Sequence, residues 1–296
     1  MIYNNYMKLG IIVVAYKSNQ MTAEYVHREL PQVDVPWVCC IVNNAATLDE
    51  SNVLAESCGA EVVGMNSAPK SKDNGSVYVL PSEENLGFAK GNNLGVKFLA
   101  KYLDVDYLLF SNNDIEIKSS CCLSSLIATL NRDDKIGAVG PRIIGLDGVE
   151  QPPHDGYVSP YRQIGWKLFP FLRRKSRDIS EAIVAKRESG FTYWVQGSFF
   201  VMRTKDFMQV GMFDPNTFLY SEEPILAERL KQVGKQMYYE NSVTVLHYEG
   251  GTIVKQRGNS WSRKMVIESN CYYYKRYLGY NSLTVWLYKI IFNLFK

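Results

Sequence analysis

The chain has few cysteines and histidines, and they lack the spacing of a zinc site or a disulfide framework. Six cysteines and three histidines occur among its 296 residues. There is no C-x-x-C pair, and Cys39-Cys40 and Cys121-Cys122 are adjacent pairs in apolar surroundings. Zinc sites and disulfide-rich folds need repeated, regularly spaced ligands or half-cystines. The adjacent cysteines are therefore predicted to be small buried side chains in a reducing compartment.

A long hydrophobic run is also missing. The longest apolar stretch covers residues 283–295, and Lys289 and Asn293 interrupt it. Because a bilayer span needs about 20 apolar residues, this stretch is too short to cross a membrane. Residues 1–10 lack the cationic start and apolar core of a secretory signal. We expect a cytoplasmic protein whose only membrane contact would be peripheral, at the inner face of the cell membrane.

A strong net charge is absent, but the charges are unevenly distributed. The formal net charge is +3, and 46% of the residues are hydrophobic. These values are typical of a folded globular protein and disfavour both disorder and dedicated duplex-DNA binding. Residues 1–250 hold 25 basic and 29 acidic residues, whereas the last 46 hold eight basic and one acidic. The pattern predicts a mildly acidic body and a basic tail rich in tyrosine.

Two nucleotide-binding fingerprints are missing. No G-x-G-x-x-G follows the first apolar run, and no G-x-x-x-x-G-K-[ST] occurs in the chain. These absences disfavour a dinucleotide-dependent oxidoreductase and a P-loop enzyme.

Apolar, β-branched runs alternate with helical patterns in the first half of the chain. They predict strands at 10–16, 37–42, 77–80, 107–110 and 136–139, and helices at 20–30, 47–58, 88–103 and 119–131. Thr47 and Glu50 have the spacing of a helix capping box. This alternation predicts a doubly wound α/β sheet.

The second half is less regular. It predicts strands at 194–203, 236–239 and 243–246, helices at 204–210 and 222–233, and a basic insertion or flexible loop at 157–187. A C-terminal helix is predicted at 281–296. Its apolar face would carry Leu283, Trp286, Leu287, Ile290, Ile291 and Leu294. Such a face would anchor the chain on an anionic bilayer or pack against the protein or a second subunit.

Polar residues follow the predicted strands at Ala15-Tyr16, Asn43-Asn44 and Ser111-Asn-Asn-Asp114. Ligands of open α/β sheets bind at such strand ends. With the segments after them, these strand ends resemble the family 2 glycosyltransferases of the GT-A fold, particularly the rhamnosyltransferase-like branch. The resemblance covers roughly residues 8–280. It is carried in order by Ile12–Tyr16, Asn85–Gly95, Leu108–Asp114, Gly140–Ile144, and the late segments Trp194–Gly197, Gly211–Asp214, Phe218–Glu223 and His247.

The resemblance implies a Rossmann-like mixed central sheet flanked by helices, with a C-terminal helical extension. It implies a catalytic domain at 1–250, with a nucleotide-binding half at about 1–140 and an acceptor half at about 141–250. Residues 251–296 would form a basic, aromatic lid and a helical tail. The residues implied to contact a nucleotide sugar are Ala15, Tyr16, Asn43, Asn85, Gly87, Gly91, Asn112, Asn113, Gly197, Lys255 and Arg257.

Asn112-Asn113-Asp114 occupies the place of the family's D-x-D metal motif. By the resemblance, Asp114, His247 and Asn112 would hold Mg²⁺ or Mn²⁺. Asn112 departs from the two-aspartate form because it offers only a neutral carbonyl. On the residues alone, the segment also suits an Asx-turn, and a lone histidine suits an ordinary surface or core position.

Glu222-Glu223 resembles the family's Glu-Asp pair. By the resemblance, Glu223 is the general base that deprotonates the acceptor hydroxyl and Glu222 supports it. Glutamate in place of aspartate lengthens the side chain, and Pro224-Ile225 replaces the more usual Val-Asp. On charge alone, two acids at a helix start would simply favour the helix dipole.

Lys255, Arg257, Arg263 and Lys264 follow the late histidine. They are predicted either to form a mobile basic loop that closes over a diphosphate or to be a solvated charge run. Residues 256–261 lack the Q-x-x-R-W spacing of processive relatives.

The expected activity is inverting, non-processive transfer of a sugar from a dTDP or UDP sugar, with rhamnose favoured. The acceptor would be a saccharide or a lipid-linked saccharide in cell-surface polysaccharide synthesis. Two alternatives remain open at this point: a catalytically impaired binding or scaffold subunit, and a nucleic-acid binder that uses the basic tail. The first alternative is suggested by Asn43, Asn112 and Pro224, and no oligomeric state is predicted.

Overall fold

A mixed β-sheet runs through the centre of the protein. The computed structural model describes residues 7–171, 187–248 and 252–294, without the side chains of residues 252–259. The strands are β1 (Leu9–Tyr16), β2 (Trp37–Asn44), β3 (Glu61–Val62), β4 (Val77–Ser82), β5 (Tyr107–Ser111), β6 (Ile115–Ile117), β7 (Ile136–Gly145), β8 (Glu150–Gln151), β9 (Gly190–Thr192), β10 (Phe199–Arg203) and β11 (Gln236–His247). They are ordered β3-β4-β2-β1-β5-β10-β7-β11-β6, with β8 beside β7 and β9 beside β11.

Helices flank the sheet in the described part of the chain. They are α1 (Asn19–Arg28), α2 (Leu48–Cys58), α3 (Gly87–Tyr102), α4 (Cys122–Leu130), α5 (Pro160–Leu168), α6 (Thr204–Gln209), α7 (Glu222–Gln232), α8 (Thr252–Arg276) and α9 (Ser282–Leu294). A short 3-10 helix, Leu30–Gln32, follows α1. None of these helices combines the length and hydrophobicity that a membrane span requires.

The first half confirms the predicted α/β alternation. Strands β1, β2, β4 and β5 are parallel and lie side by side. Successive side chains of a strand point to opposite faces, so Ile11 and Ile12 belong to separate hydrophobic clusters on the two faces of the sheet. Burial on both faces explains the uninterrupted apolar sequence of β1 and β2.

Cys39 and Cys40 follow the same alternation. Both side chains are free thiols, fully buried on opposite sides of β2. Burial raises the pKa of both thiols, because the charged thiolate is poorly solvated there. These positions and that of Cys122 confirm the prediction of small buried side chains. The prediction is wrong for Cys121, which is exposed because it lies in the turn before α4.

The capping box of α2 is also confirmed. The Thr47 hydroxyl accepts a hydrogen bond from the Glu50 amide, and the Glu50 carboxylate accepts one from the Thr47 amide. The helix ends at Gly59, whose φ is +61°. Both helix ends are therefore satisfied by local residues.

The second half differs from the predicted strands. The strand predicted at 194–203 begins only at Phe199. Before it, Trp194 forms an isolated bridge with His154, and residues 197–198 form a turn in which the Gly197 amide bonds to the Glu223 side chain. The strands predicted at 236–239 and 243–246 are one strand, β11. A register shift between Glu240 and Thr244 accommodates the polar residues between them.

Two predicted loops contain helices. Residues 160–168 form α5, which starts with Pro160 after a Ser159 side-chain cap. Residues 172–186 of the predicted insertion lie outside the described residues. The predicted basic loop around Lys255–Lys264 lies in the 25-residue helix α8. Only half of these residues are strong helix formers, and the later turns of α8 are held by packing of Ile267, Tyr273 and Tyr274 against α7 and α9.

Gly87 offers a test of how closely α3 approaches the loop before α7. Its φ is +69°, and a Cβ there would lie 2.0 Å from the Phe218 carbonyl oxygen. We expect Gly87→Ala to lower the free energy of unfolding by about 2–4 kcal/mol, since backbone strain and overlap add. Gly59→Ala is the matched control, with a φ of +61° and open space around the added methyl. It should cost about 1–2 kcal/mol. If urea unfolding shows that Gly87→Ala and Gly59→Ala lose the same unfolding free energy, the close approach of α3 to Phe218 is contradicted.

Candidate active site

A cavity of about 750 Å³ opens at the carboxyl ends of β1, β2 and β5. Its wall combines these strand ends with the start of α3, the loop before β10, the start of α7 and one face of α8. The lining residues include Tyr16, Asn44, Asn85, Gly87, Asn112, Asn113, Asp114, Gln151, Trp194, Gln196, Gly197, Glu222, Glu223, His247, Trp261 and Asn270. The cavity is thus largely polar on the sheet side, where most predicted site residues meet.

Asn112, Asp114 and His247 form one corner of this cavity. Asp114 lies in the turn between β5 and β6, and His247 ends β11, which pairs with β6. The His247 Nε2 atom is 3.3 Å from Asp114 Oδ1 and 3.4 Å from the Asn112 amide nitrogen. Asp114 Oδ1 is buried and has no hydrogen-bond partner. An unpartnered carboxylate oxygen beside an imidazole nitrogen is a suitable place for a divalent cation.

The donor set fits a cation that has additional ligands. Among the described residues, no third histidine, cysteine or carboxylate joins Asp114 and His247. Asn112 presents its amide nitrogen to His247, so in this orientation the Asn112 oxygen does not face the histidine. The corner would therefore leave several coordination positions for ligand oxygens or water.

A carboxylate pair starts α7. Tyr220 and Ser221, which precede it, both have left-handed backbone conformations with φ values of +73° and +66°. Such strain is held in place by surrounding structure and is frequent at functional sites. This turn directs Glu222 and Glu223 toward the cavity.

Glu223 fits tightly against the loop before β10. Its Oε1 atom accepts a hydrogen bond of 3.1 Å from the Gly197 amide. A Cβ at residue 197 would lie 2.3 Å from the same oxygen. A side chain at residue 197 would displace the Glu223 carboxylate, so this contact requires glycine.

Glu222 is more deeply buried. Its side chain is almost inaccessible, and its Oε1 atom has no hydrogen-bond partner. Burial raises the pKa of Glu222, and the adjacent negative charge of Glu223 raises it further. Burial also raises the pKa of Glu223. Two poorly solvated carboxyls side by side favour proton uptake, a property that suits acid–base chemistry.

Amide side chains organise the opposite wall. Asn44 Nδ2 donates to Asn85 Oδ1 at 3.0 Å, and Asn44 Oδ1 accepts from the Leu86 amide at 2.7 Å. Asn85 Oδ1 also accepts from the Gly87 amide at 3.1 Å. These bonds hold the loop before α3 against the end of β2 and give the cavity a fixed polar rim.

Three residues expected to contact a nucleotide sugar lie behind this wall instead. Ala15 is fully buried and Asn43 is 1% exposed, with the Asn43 amide donating to Ser51. Gly91 faces Val14 within the helix–sheet contact. For the two strand residues the reason is strand alternation: Tyr16 and Asn44 face the cavity, so Ala15 and Asn43 face the other side of the sheet. Asn44 therefore takes the position expected for Asn43.

Asn113, Lys255 and Arg257 were also expected to contact a nucleotide sugar. Asn113 lines the cavity, but its amide nitrogen donates to Ser18 and Thr22 at 2.8 Å each and so ties β5 to α1. Lys255 and Arg257 belong to α8, and their side chains lie outside the described residues. Arg263 donates to the Phe292 carbonyl of α9, so it helps to join the two C-terminal helices.

Several lining residues were not found from the sequence. Gln151 follows a turn at the end of β7, and Trp261 and Asn270 belong to α8. Gln151 carried no local motif, and the α8 residues lay in a segment with a negligible amphipathic pattern. Their contribution depends on how β8 and α8 pack, which no short sequence pattern encodes.

Comparison with known proteins identifies the family of the chain. Residues 10–201 match Glycosyl transferase family 2. The chain belongs to this family. The matched segment contains Asp114, Gln151 and Gly197 but ends before Glu222, Glu223 and His247, so the positions of these last three rest on the geometry.

Relatives and a solved structure extend the comparison. The chain is 28% identical over 189 residues to an N-acetylglucosaminyl-diphospho-decaprenol L-rhamnosyltransferase of Mycobacterium tuberculosis, covering 59% of each chain. It is 28% identical to Rhamnosyltransferase WbbL of Escherichia coli, covering 55% of this chain and 61% of that protein. The chain thus spans about three fifths of the length of these relatives.

The crystal structure of GalNAc-T7 with UDP, GalNAc and Mn²⁺ superposes with a TM-score of 0.55 at 16% identity, covering 98% of this chain and 55% of that chain. At this identity the likeness concerns the fold alone. It confirms the GT-A fold that the sequence resemblance implied.

The buried carboxylate pair gives a pH test in the absence of ligand. A carboxyl whose folded-state pKa is raised contributes stability that is lost as the pH rises through that pKa. We therefore expect Glu222→Gln to gain stability over the parent above pH 5. The gain should grow by about 1.4 kcal/mol for each pH unit between the unfolded-state pKa and the raised folded-state pKa, because glutamine does not titrate. Urea unfolding between pH 4 and 9 measures it. Glu83→Gln, at an exposed position, should leave the dependence of stability on pH unchanged. If the stability of Glu222→Gln runs parallel to that of the parent across this pH range, the raised pKa of Glu222 is contradicted.

Proposed function

We propose that the protein is an inverting glycosyltransferase that moves one sugar at a time from a nucleoside-diphosphate donor to a hydroxyl acceptor. The observation that carries this proposal is a single cavity lined by both the Asp114–His247 corner and the Glu222–Glu223 pair. Glycosyl transfer needs both parts, a place for the diphosphate leaving group and a base for the acceptor. Family membership supports the same reaction class.

In this proposal Glu223 is the general base. Its carboxylate takes the proton of the acceptor hydroxyl as the acceptor oxygen attacks the anomeric carbon. The bond from that carbon to the diphosphate breaks on the opposite face, so the configuration at this carbon is inverted. The hydrogen bond from Gly197 fixes one carboxylate oxygen and orients the other for the proton.

Asp114 and His247 would hold Mg²⁺ or Mn²⁺, with Asn112 beside them. The bound cation would offset negative charge on the departing diphosphate. Asn44, Asn85 and the Gly87 backbone would bind the nucleotide side of the donor, because they supply fixed amide donors and acceptors at the strand ends.

For the substrates we propose a dTDP or UDP sugar, with rhamnose favoured, and a saccharide or lipid-linked acceptor in surface polysaccharide synthesis. Two similar proteins, the decaprenol-linked enzyme of Mycobacterium tuberculosis and WbbL, are named as rhamnosyltransferases, and these names support the proposal. Agl10 of Haloferax volcanii, a low-salt glycan biosynthesis hexosyltransferase, is 25% identical over 192 residues, covering 62% of this chain and 57% of that protein. Its name supports the broader class of hexosyl transfer.

Glu223→Gln tests the base. We expect kcat to fall about 10²- to 10⁴-fold, because an amide cannot take the proton, while the affinity for the donor with Mn²⁺ stays within about twofold. Turnover of dTDP-rhamnose and UDP sugars on lipid-linked and soluble acceptors, together with calorimetric donor titration, measures both.

Glu228→Gln is the matched control, since it makes the same change on the same helix where the side chain bonds to Tyr193 and Lys231. Near-normal turnover in Glu223→Gln would remove Glu223 from this role. Donor binding without turnover in the parent protein would favour the alternative of an impaired binding subunit.

A further inference from the structure

The C-terminal helix α9 packs on the protein with one face only. Thr284 and Tyr288 are buried, and Val285 and Phe292 join the hydrophobic cluster with α8. The opposite face exposes large apolar side chains at helical spacing, with exposed fractions of 65% for Leu283, 56% for Trp286, 40% for Leu287 and 73% for Leu294. The face predicted to be apolar is thus the face that the protein leaves uncovered.

The end of α5 extends this surface. Tyr161 bonds to Thr284, and the Lys167 ammonium lies 5.9 Å from the Phe292 ring centre, so α5 runs alongside α9. Just beyond α5, Phe169 and Phe171 are 52% and 68% exposed. We name the exposed apolar side chains of α9 and residues 168–171 the apolar platform. Exposed large apolar side chains on two helices that pack together mark a candidate interaction site.

The charged residues of the two helices that carry the apolar platform are all basic, and the nearest acid on the neighbouring α8 is the exposed Glu268. Helices α5 and α9 carry Arg162, Lys167 and Lys289 and contain no acidic residue. Arg162 and Lys289 are exposed. Exposed aromatic and leucine side chains flanked by cations complement an anionic lipid surface, which takes the apolar groups into its boundary region and attracts the cations.

A chain of hydrogen bonds joins these helices to the cavity. Ser221, at the start of α7, donates to Asn270 of α8, and Asn270 donates to Tyr288 of α9 at 3.0 Å. Tyr288 in turn donates to Gln163 of α5 at 3.1 Å. The apolar platform is therefore rigidly connected to the turn that holds the carboxylate pair.

We propose that the apolar platform docks on an anionic bilayer and so presents the cavity to a lipid-linked acceptor. The choice of acceptor rests on the proposed function, whereas the docking itself does not.

Vesicle co-sedimentation of the full chain tests the docking. We expect binding to vesicles with 30% phosphatidylglycerol, weaker binding to pure phosphatidylcholine, and loss of binding at high salt. Trp286→Ser with Phe169→Ser should weaken binding about tenfold or more, because two large apolar groups are lost. Leu48→Ser with Val53→Ser is the matched control, as these exposed apolar residues lie on α2. It should bind as the parent does.

Three outcomes would overturn the docking: no binding by the parent, equal losses in both double variants, or a dimer that Trp286→Ser dissociates in light scattering. The last outcome would show that a second copy covers the platform. Transfer to a soluble acceptor reports on the proposed function separately, because it does not need a membrane.

A second inference concerns Gln151 and stands on a different observation. Gln151 Oε1 lies 3.0 Å from His247 Nδ1. With the amide oxygen facing the ring, the hydrogen lies on Nδ1 and the lone pair of the neutral ring on Nε2. The Asn112 amide nitrogen, 3.4 Å from Nε2, can donate to this lone pair. The same Nε2 atom faces Asp114 Oδ1. Gln151 is held in place because β8 pairs with β7, the neighbour of β11.

We infer that Gln151 is a positioning residue that selects the His247 tautomer able to bind a cation, an inference that rests on the proposed cation site. Hydrogen-bond partners of metal-binding histidines typically change metal affinity 10- to 100-fold. Gln151 lines the cavity wall, and its Nε2 atom is buried without a hydrogen-bond partner, so no other hydrogen bond competes with the contact to His247.

Gln151→Leu should weaken Mn²⁺ binding in the presence of UDP about 10- to 100-fold by electron paramagnetic resonance titration. Without metal, the same variant should shift the His247 ¹⁵N signals away from the Nδ1-protonated tautomer. Gln151→Glu keeps an acceptor oxygen and should restore the tautomer signal. Parent-like affinity and tautomer in Gln151→Leu would overturn the inference, whereas absence of Mn²⁺ binding in the parent would count against the cation site itself.

Discussion

The candidate active site depends on the pairing of β11 with both β6 and β7. This strand ends at His247, opposite Ile115 of β6 and Gly145 of β7. Asp114 immediately precedes β6, and Gln151 lies on the short strand that pairs with β7. One strand end therefore brings together three groups from distant parts of the chain, and the hydrogen bonds of the sheet set their distances.

A second constraint is the contact between Glu223 and Gly197. The carboxylate occupies the space where any other residue would have a side chain, and the backbone amide of Gly197 supports it. The strained turn at Tyr220 and Ser221 points the pair inward. The same turn is bonded through α8 to α9 and α5, so the C-terminal helices and the carboxylates form one connected unit.

Strand ends were the most predictable part of the site. The apolar runs located β1, β2 and β5, and the carboxyl ends of parallel strands converge on one edge, so Tyr16, Asn112 and Asp114 were placed near one another. It was harder to predict which residue of each adjacent pair faces the cavity. The choice between Asn43 and Asn44 depends on the pleat of β2, and a continuously apolar strand gives no alternation from which to read it.

The sequence by itself determined the α/β alternation, the thiol burial of Cys39 and Cys40, the capping of α2 and the polar strand ends, because each depends on neighbouring residues. Only the tertiary structure decided that β10 begins at Phe199, that α8 forms a wall of the cavity, and that Gln151 meets His247. It also decided which face of α9 stays exposed. These features arise from packing between distant segments, whose geometry is set by the whole sheet and by no local pattern.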